Sequence, residues 1–120
     1  MRRRGERGAG TVLTAGVCAA LVVVTWSSCV LVAWLGHASA AQDAADLASL
    51  AAAGAEARGA DPCPVAQEAA VRNGAKLVAC TVRGDRWAFV VDVRVSRQLE
   101  PAMPGAPLDV EAVATAGSQQ

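Results

Sequence analysis

The hydrophobic positions of this chain change their spacing twice, and each spacing predicts a different element. Between residues 8 and 42 there is no Asp, Glu, Lys or Arg, and the dense part of that stretch, "TVLTAGVCAALVVVTWSSCVLVAWL" at residues 11–35, is 25 residues long and almost wholly apolar. As a helix it would extend about 37 Å at about 1.5 Å per residue, enough to cross a hydrocarbon core of about 30 Å. A transmembrane helix is expected there. Over residues 41–57 the pattern becomes helical and one-sided. Ala41, Ala44, Ala45, Ala48, Ala51, Ala52 and Ala55 share one side, Gln42, Asp46, Ser49 and Glu56 fall opposite, and Leu47 and Leu50 flank the polar strip. This amphipathic extension has a face of methyl groups, suited to close packing against a partner helix or the chain's own sheet.

Beyond Asp61-Pro62 the period shortens to two. Pro64 fits the first position of a helix and Asn73-Gly74 a stop, so residues 64–73 are expected to form a short helix. Residues 76–83 read as a strand, Gly84-Asp85 as a turn, and residues 86–97 as a second strand. In that second strand Trp87, Phe89, Val91, Val93 and Val95 would be buried, with Asp92, Arg94 and Ser96 in water. Pro101, Pro104 and Pro107 break regularity over residues 98–107, and residues 108–116 supply a third, shorter strand before the tail at 117–120. The expected fold is α+β: a long N-terminal transmembrane and amphipathic helix, then a small domain of one short helix and a two- to three-stranded antiparallel sheet. Its parts are a basic leader (1–10), the span (11–35), the Ala-rich extension (36–60), the helix and hairpin (61–97), the Pro-rich loop and the last strand.

Charge assigns a direction to this arrangement. Residues 1–7 hold four Arg and one Glu, and residues 38–120 hold seven Lys or Arg against ten Asp or Glu, so the formal total of zero separates into +3 and −3. Arg2, Arg3, Arg4 and Arg7 favour a cytoplasmic N-terminus, with the C-terminal domain outside the cell membrane. Ala38-Ser39-Ala40 has the form of a signal-peptidase site, and cleavage after Ala40 would release a secreted binding domain. The apolar run before it exceeds the 7–15 residues of a cleavable signal, which favours a retained anchor.

The four cysteines form two pairs of different character. Cys63 and Cys80 flank a loop of about 18 residues; a bridge between them would contribute around 3 kcal/mol in the chain-entropy model, and an extracytoplasmic location is oxidising. The alternative is two buried thiols. Cys18 and Cys29 lie three helical turns apart, about 16 Å, and cannot pair within one chain. Lipid attachment at Cys29 is disfavoured by Trp26, which stands where lipoprotein signals carry a small aliphatic residue. Gly16 and Ala20 form a small-x-x-x-small pair of the kind that marks helix contacts.

No catalytic constellation emerges. His37 is the single His and falls at the edge of the span. There is no Gly-rich phosphate loop, no metal-ligand cluster and no paired-carboxylate motif, so neither an enzyme nor a cofactor is expected. With one Phe, no Tyr and its concentrated positive charge directly before an apolar run, the chain does not read as a nucleic-acid binder.

The order of parts, "ERGAGTV" at residues 6–12, one long apolar span, then "AAQDAADLASLAAA" at residues 40–53, resembles the TadE/TadG-like proteins of the Flp-type (tight adherence) pilus-assembly system. Within that group it is most similar to small actinobacterial TadE-like proteins with a Cys-containing helix and hairpin after the Ala-rich segment. The resemblance implies a pseudopilin-like component of a bacterial pilus or type IV-related secretion assembly. A prepilin-type peptidase would cut its leader near Gly8 and Ala9, and the helix, through Gly16, Ala20, Ala41, Ala45, Ala48 and Ala52, would contact other pilin-like or Tad assembly subunits in the lipid bilayer. Where the family pattern places a Glu a few residues into the apolar run, this chain has Leu13.

Overall fold

The computed structural model describes residues 6–118, with side chains described from residue 8 onward. Arg2, Arg3 and Arg4 lie outside the described residues, as does the side chain of Arg7. The elements run α1 (Glu6–Ala57), α2 (Pro62–Arg72), β1 (Lys76–Gly84), β2 (Phe89–Gln98) and β3 (Asp109–Gly117). The fold is α+β, with an antiparallel three-stranded sheet in the order β1-β2-β3. The chain divides into two compact units, Met1–Ala33 and Trp34–Gln120.

In the first unit α1 exposes its apolar side chains all round, from Val12 and Leu13 to Leu31 and Val32. Four of its hydroxyls are satisfied internally. Thr14, Thr25, Ser27 and Ser28 each donate to the carbonyl four residues earlier, at 2.8–2.9 Å. Such back-bonding removes a donor that would otherwise require water.

The second unit is held by the alanine face of the same helix. Ala41, Ala44, Ala45, Ala48 and Ala52 are fully buried and belong to one cluster with Phe89, Val91, Val93 and Val95 of β2 and Ala112 and Ala114 of β3. Of the two coverings open to that face, it is the chain's own sheet that lies on it. Small side chains permit the close approach, and Gln42 Nε2 adds a hydrogen bond to the Val113 carbonyl at 3.2 Å. Ser49 corrects the expected polar strip: it is only 2% exposed, and its hydroxyl donates to the Asp46 carbonyl at 2.9 Å. The bond satisfies a hydroxyl brought to the margin of the core.

α1 ends at Ala57, where Gly59 turns the chain at φ 74°. α2 begins two residues earlier than expected. Asp61, not a later residue, is the N-cap, its carboxylate accepting from Cys63 N at 3.3 Å, and Pro62 takes the first helical position anticipated for Pro64. α2 buries Ala66 and Ala70 in the common core. Asn73 and Gly74 close it, with Asn73 Nδ2 donating to the Ala69 carbonyl at 2.8 Å and Gly74 at φ 71°.

The sheet departs from simple alternation at both ends of the hairpin. An irregularity between Leu77 and Ala79 brings Leu77 opposite Val95, while Cys80 and Val82 face Val93 and Val91. Leu77 therefore joins the inward face with Cys80, both half-buried, Val82 on the same face stays exposed, and Val78, expected there by strict period two, is left exposed. β2 starts at Phe89 rather than at residue 86. Asp85 accepts hydrogen bonds from the N–H groups of Trp87 and Ala88, both at 2.9 Å, and this turn takes Trp87 out of the strand, leaving it 72% exposed. The connection is thus longer than the Gly84-Asp85 turn expected. The third strand forms, and it is nine residues long.

Candidate functional site

Four places in the structure carry chemistry worth weighing. The first is the exposed apolar surface of α1. Among the described residues one helix is long and apolar enough to cross a membrane, and none of its most apolar window is buried within the protein. Gly8, Ala9, Gly16 and Ala20 lie along one stripe with Val12, Leu13 and Val17. A Cβ added at Gly16 would meet nothing within 4 Å, so the protein's own interior places no demand for glycine there. The other four positions named for helix packing, Ala41, Ala45, Ala48 and Ala52, belong to the buried core of the second unit.

The second is the Cys63–Cys80 disulfide, which joins the start of α2 to the middle of β1. Three valines, Val91, Val93 and Val95, are the largest side chains wholly removed from solvent, so the core that the bridge reinforces is thin. Cys18 and Cys29 are free and exposed on α1.

The third is an open groove of about 790 Å³ at one end of the sheet, lined among others by His37, Lys76, Arg97, Glu100, Asp109 and Glu111. Lys76 and Arg97 share its lining with Glu100, Asp109 and Glu111, so it presents no single-sign field that would concentrate a charged ligand. Arg97 is engaged in structure, donating from Nη1 to the Asn73 carbonyl at 3.1 Å. Among the described residues no three His, Cys, Asp or Glu side chains converge as metal ligands. On the outward face of the sheet, Asp92 accepts from Thr115 Oγ1 at 2.7 Å and pairs with Arg83, tying all three strands together. The Thr115 hydrogen bond, and then the Arg83 charge, hold the Asp92 carboxyl below its ordinary pKa. The N–H groups of Ala88 and Trp87 do the same for Asp85. Both acids serve the architecture of the hairpin.

The fourth is the β2–β3 connection. Its base is closed by Leu99 N donating to the Leu108 carbonyl at 2.8 Å. Trp34 Nε1 donates to the Pro101 carbonyl at 3.3 Å, a contact spanning 67 residues of sequence. Nothing in the spacing of residues pointed to that pairing. The only cue was compositional, an indole at the end of an apolar run and an uncharged Pro-rich segment far downstream.

No family model matches the chain, and neither a curated protein nor a solved structure matches it significantly. The class is defined by the fold: an α+β protein whose N-terminal helix is compatible with a single membrane crossing. A disulfide fastens the domain that follows.

Proposed function

We propose that this chain is a non-enzymatic, single-pass membrane protein that acts as a pseudopilin-like component of a Flp/Tad-type pilus or type IV-related secretion assembly. The observation that carries the reading is the division of labour along α1. Its first part is apolar and uncovered, while its later part is buried by alanines against a small antiparallel sheet. The uncovered part calls for lipid or for apolar helices of other subunits, and the stripe of Gly8, Ala9, Gly16 and Ala20 suits close helix approach. Leu13, where a Glu would be expected in the family pattern, leaves the span without a charge, which favours residence in the bilayer.

The orientation is supported from both sides. Arg2, Arg3, Arg4 and Arg7 favour a cytoplasmic N-terminus, and a disulfide between Cys63 and Cys80 persists best in an oxidising, extracytoplasmic setting. Release of a secreted domain after Ala40 is disfavoured by the fold of the second unit. Ala38, Ser39 and Ala40 are helical, and the cut would remove Trp34 from its bond to Pro101. Mass spectrometry of the protein from the membrane fraction tests the reading. An N-terminus at or near Ala9 supports processing by a prepilin-type peptidase, and one at Ala41 eliminates the pseudopilin.

A further inference from the structure

We propose that the β2–β3 loop, residues 99–108, is a second membrane contact of this protein, its uncharged tip entering the lipid headgroup region beside Trp34. The inference rests on the reading of residues 11–35 as a membrane span.

Depth is set by Trp34. It is the penultimate residue of that span, and an indole at such a position sits at the boundary between hydrocarbon and headgroups. Because Trp34 Nε1 donates to the Pro101 carbonyl at 3.3 Å, the loop shares that depth. Its composition fits the location. From Pro101 to Leu108 the sequence "PAMPGAPL" carries no charge, and the flanking Glu100 and Asp109 mark where charge resumes. Met103 is 43% exposed and Leu108 64%, so two of the loop's three large apolar side chains are left uncovered by the protein, with Leu99 half-buried at its base.

Part of the backbone is suited to a partly dehydrated layer. Pro101, Pro104 and Pro107 have no N–H to satisfy, and the N–H groups of Ala106 and Leu99 are bonded to the carbonyls of Met103 and Leu108. The flexible thioether of Met103 adapts to disordered acyl chains as it does to irregular apolar surfaces. The partner is the interface of a zwitterionic phospholipid bilayer; the acids at the loop's base disfavour a strongly anionic surface.

The test places an environment-sensitive thiol label on the full-length chain, with Cys18→Ala and Cys29→Ala, in phosphatidylcholine vesicles. The label is attached after Met103→Cys, after Leu21→Cys within the span, or after Arg86→Cys in the turn at the opposite end of β2. The label at position 103 is expected to be quenched by a lipid bearing a nitroxide near the headgroup and shielded from aqueous iodide, with the label at 86 showing the reverse. If the label at 103 responds to iodide like that at 86 while the label at 21 stays shielded from iodide, the loop contact is overturned and the span stands. If the label at 21 is also iodide-quenched, the span reading fails and the loop contact with it. Shielding of position 103 from both quenchers assigns the loop to a protein surface and equally overturns the proposal.

Discussion

Cys63 and Cys80 lie 17 residues apart in sequence and are joined by a disulfide, with 5.8 Å between their Cα atoms. The bond closes α2 and the first half of β1 into one loop, and it does so beside a core of alanines and valines. Loss of the bridge through Cys63→Ser should cost about 2–5 kcal/mol, the range for small disulfide-stapled domains. Denaturant titration of the full chain in micelles measures this as a lower midpoint. Reductant should lower the wild-type midpoint to a similar degree and leave the variant where it was.

The alanine face predicts a sharp contrast between neighbours on α1. Ala48 is fully buried against the sheet, whereas Leu50 is largely exposed. Ala48→Leu forces three extra heavy atoms into a filled layer and should destabilise by about 1–3 kcal/mol. Leu50→Ala should stay within about 0.5 kcal/mol of the wild type. Equal effects at the two positions would show that the face is not packed as described.

A third prediction concerns the β1–β2 turn. Gly84 has φ 105°, and a Cβ there would run into the carbonyl oxygen of Ala88. Gly84→Ala should cost about 1–3 kcal/mol through backbone strain and displacement of the turn. Gly59, at φ 74° with open space around it, should lose only about 1 kcal/mol on the same change.

Asp92 and Asp85 make the acid side of the stability profile predictable. Both carboxyls are held below the ordinary value of 3.8 in the folded protein. Asp92 owes this first to the Thr115 hydroxyl, and Asp85 to the N–H groups of Ala88 and Trp87. The unfolded chain therefore takes up the protons more readily. The stabilisation is complete above the unfolded value and disappears as pH falls through the lowered ones. Thermal melts from pH 6 down to pH 2 should show a shallower acid decline for Asp92→Asn than for the wild type.

Much of this architecture was legible in the sequence because it follows from period and composition. The 3.6-residue alanine repeat identifies Ala41, Ala44, Ala45, Ala48, Ala51, Ala52 and Ala55 as one face, and the period of two identifies Trp87, Phe89, Val91, Val93 and Val95 as another; all are buried except Ala51, which is half-buried, and Trp87, which is exposed. The disulfide was legible because the two cysteines fell in adjoining elements. Two of the misplaced features depended on the side-chain hydrogen bonds of an aspartate. Trp87 continues the period of two, yet the Asp85 carboxylate captures its N–H and ends the strand's reach. Pro62 and Pro64 both suit a helix start, and the Asp61 cap decides between them. Val78 lost its place to Leu77 because period counting cannot register an extra residue in one strand. The contact between Trp34 and Pro101 had no local signal at all, since both partners belong to segments without a repeating pattern.

Retention of residues 11–35 of α1 in the bilayer as a span is tested by the native cysteines without any substitution. Cys18 and Cys29 are the free thiols, while Cys63 and Cys80 are bonded and silent. The measurement is the mass added to the full-length protein by a bulky, membrane-impermeant maleimide, in sealed membranes and then in SDS without reductant. A retained span predicts no label in intact membranes and two labels in SDS. Two labels on intact membranes, or a mature chain that takes none in SDS because residues 1–40 have been removed, would contradict it.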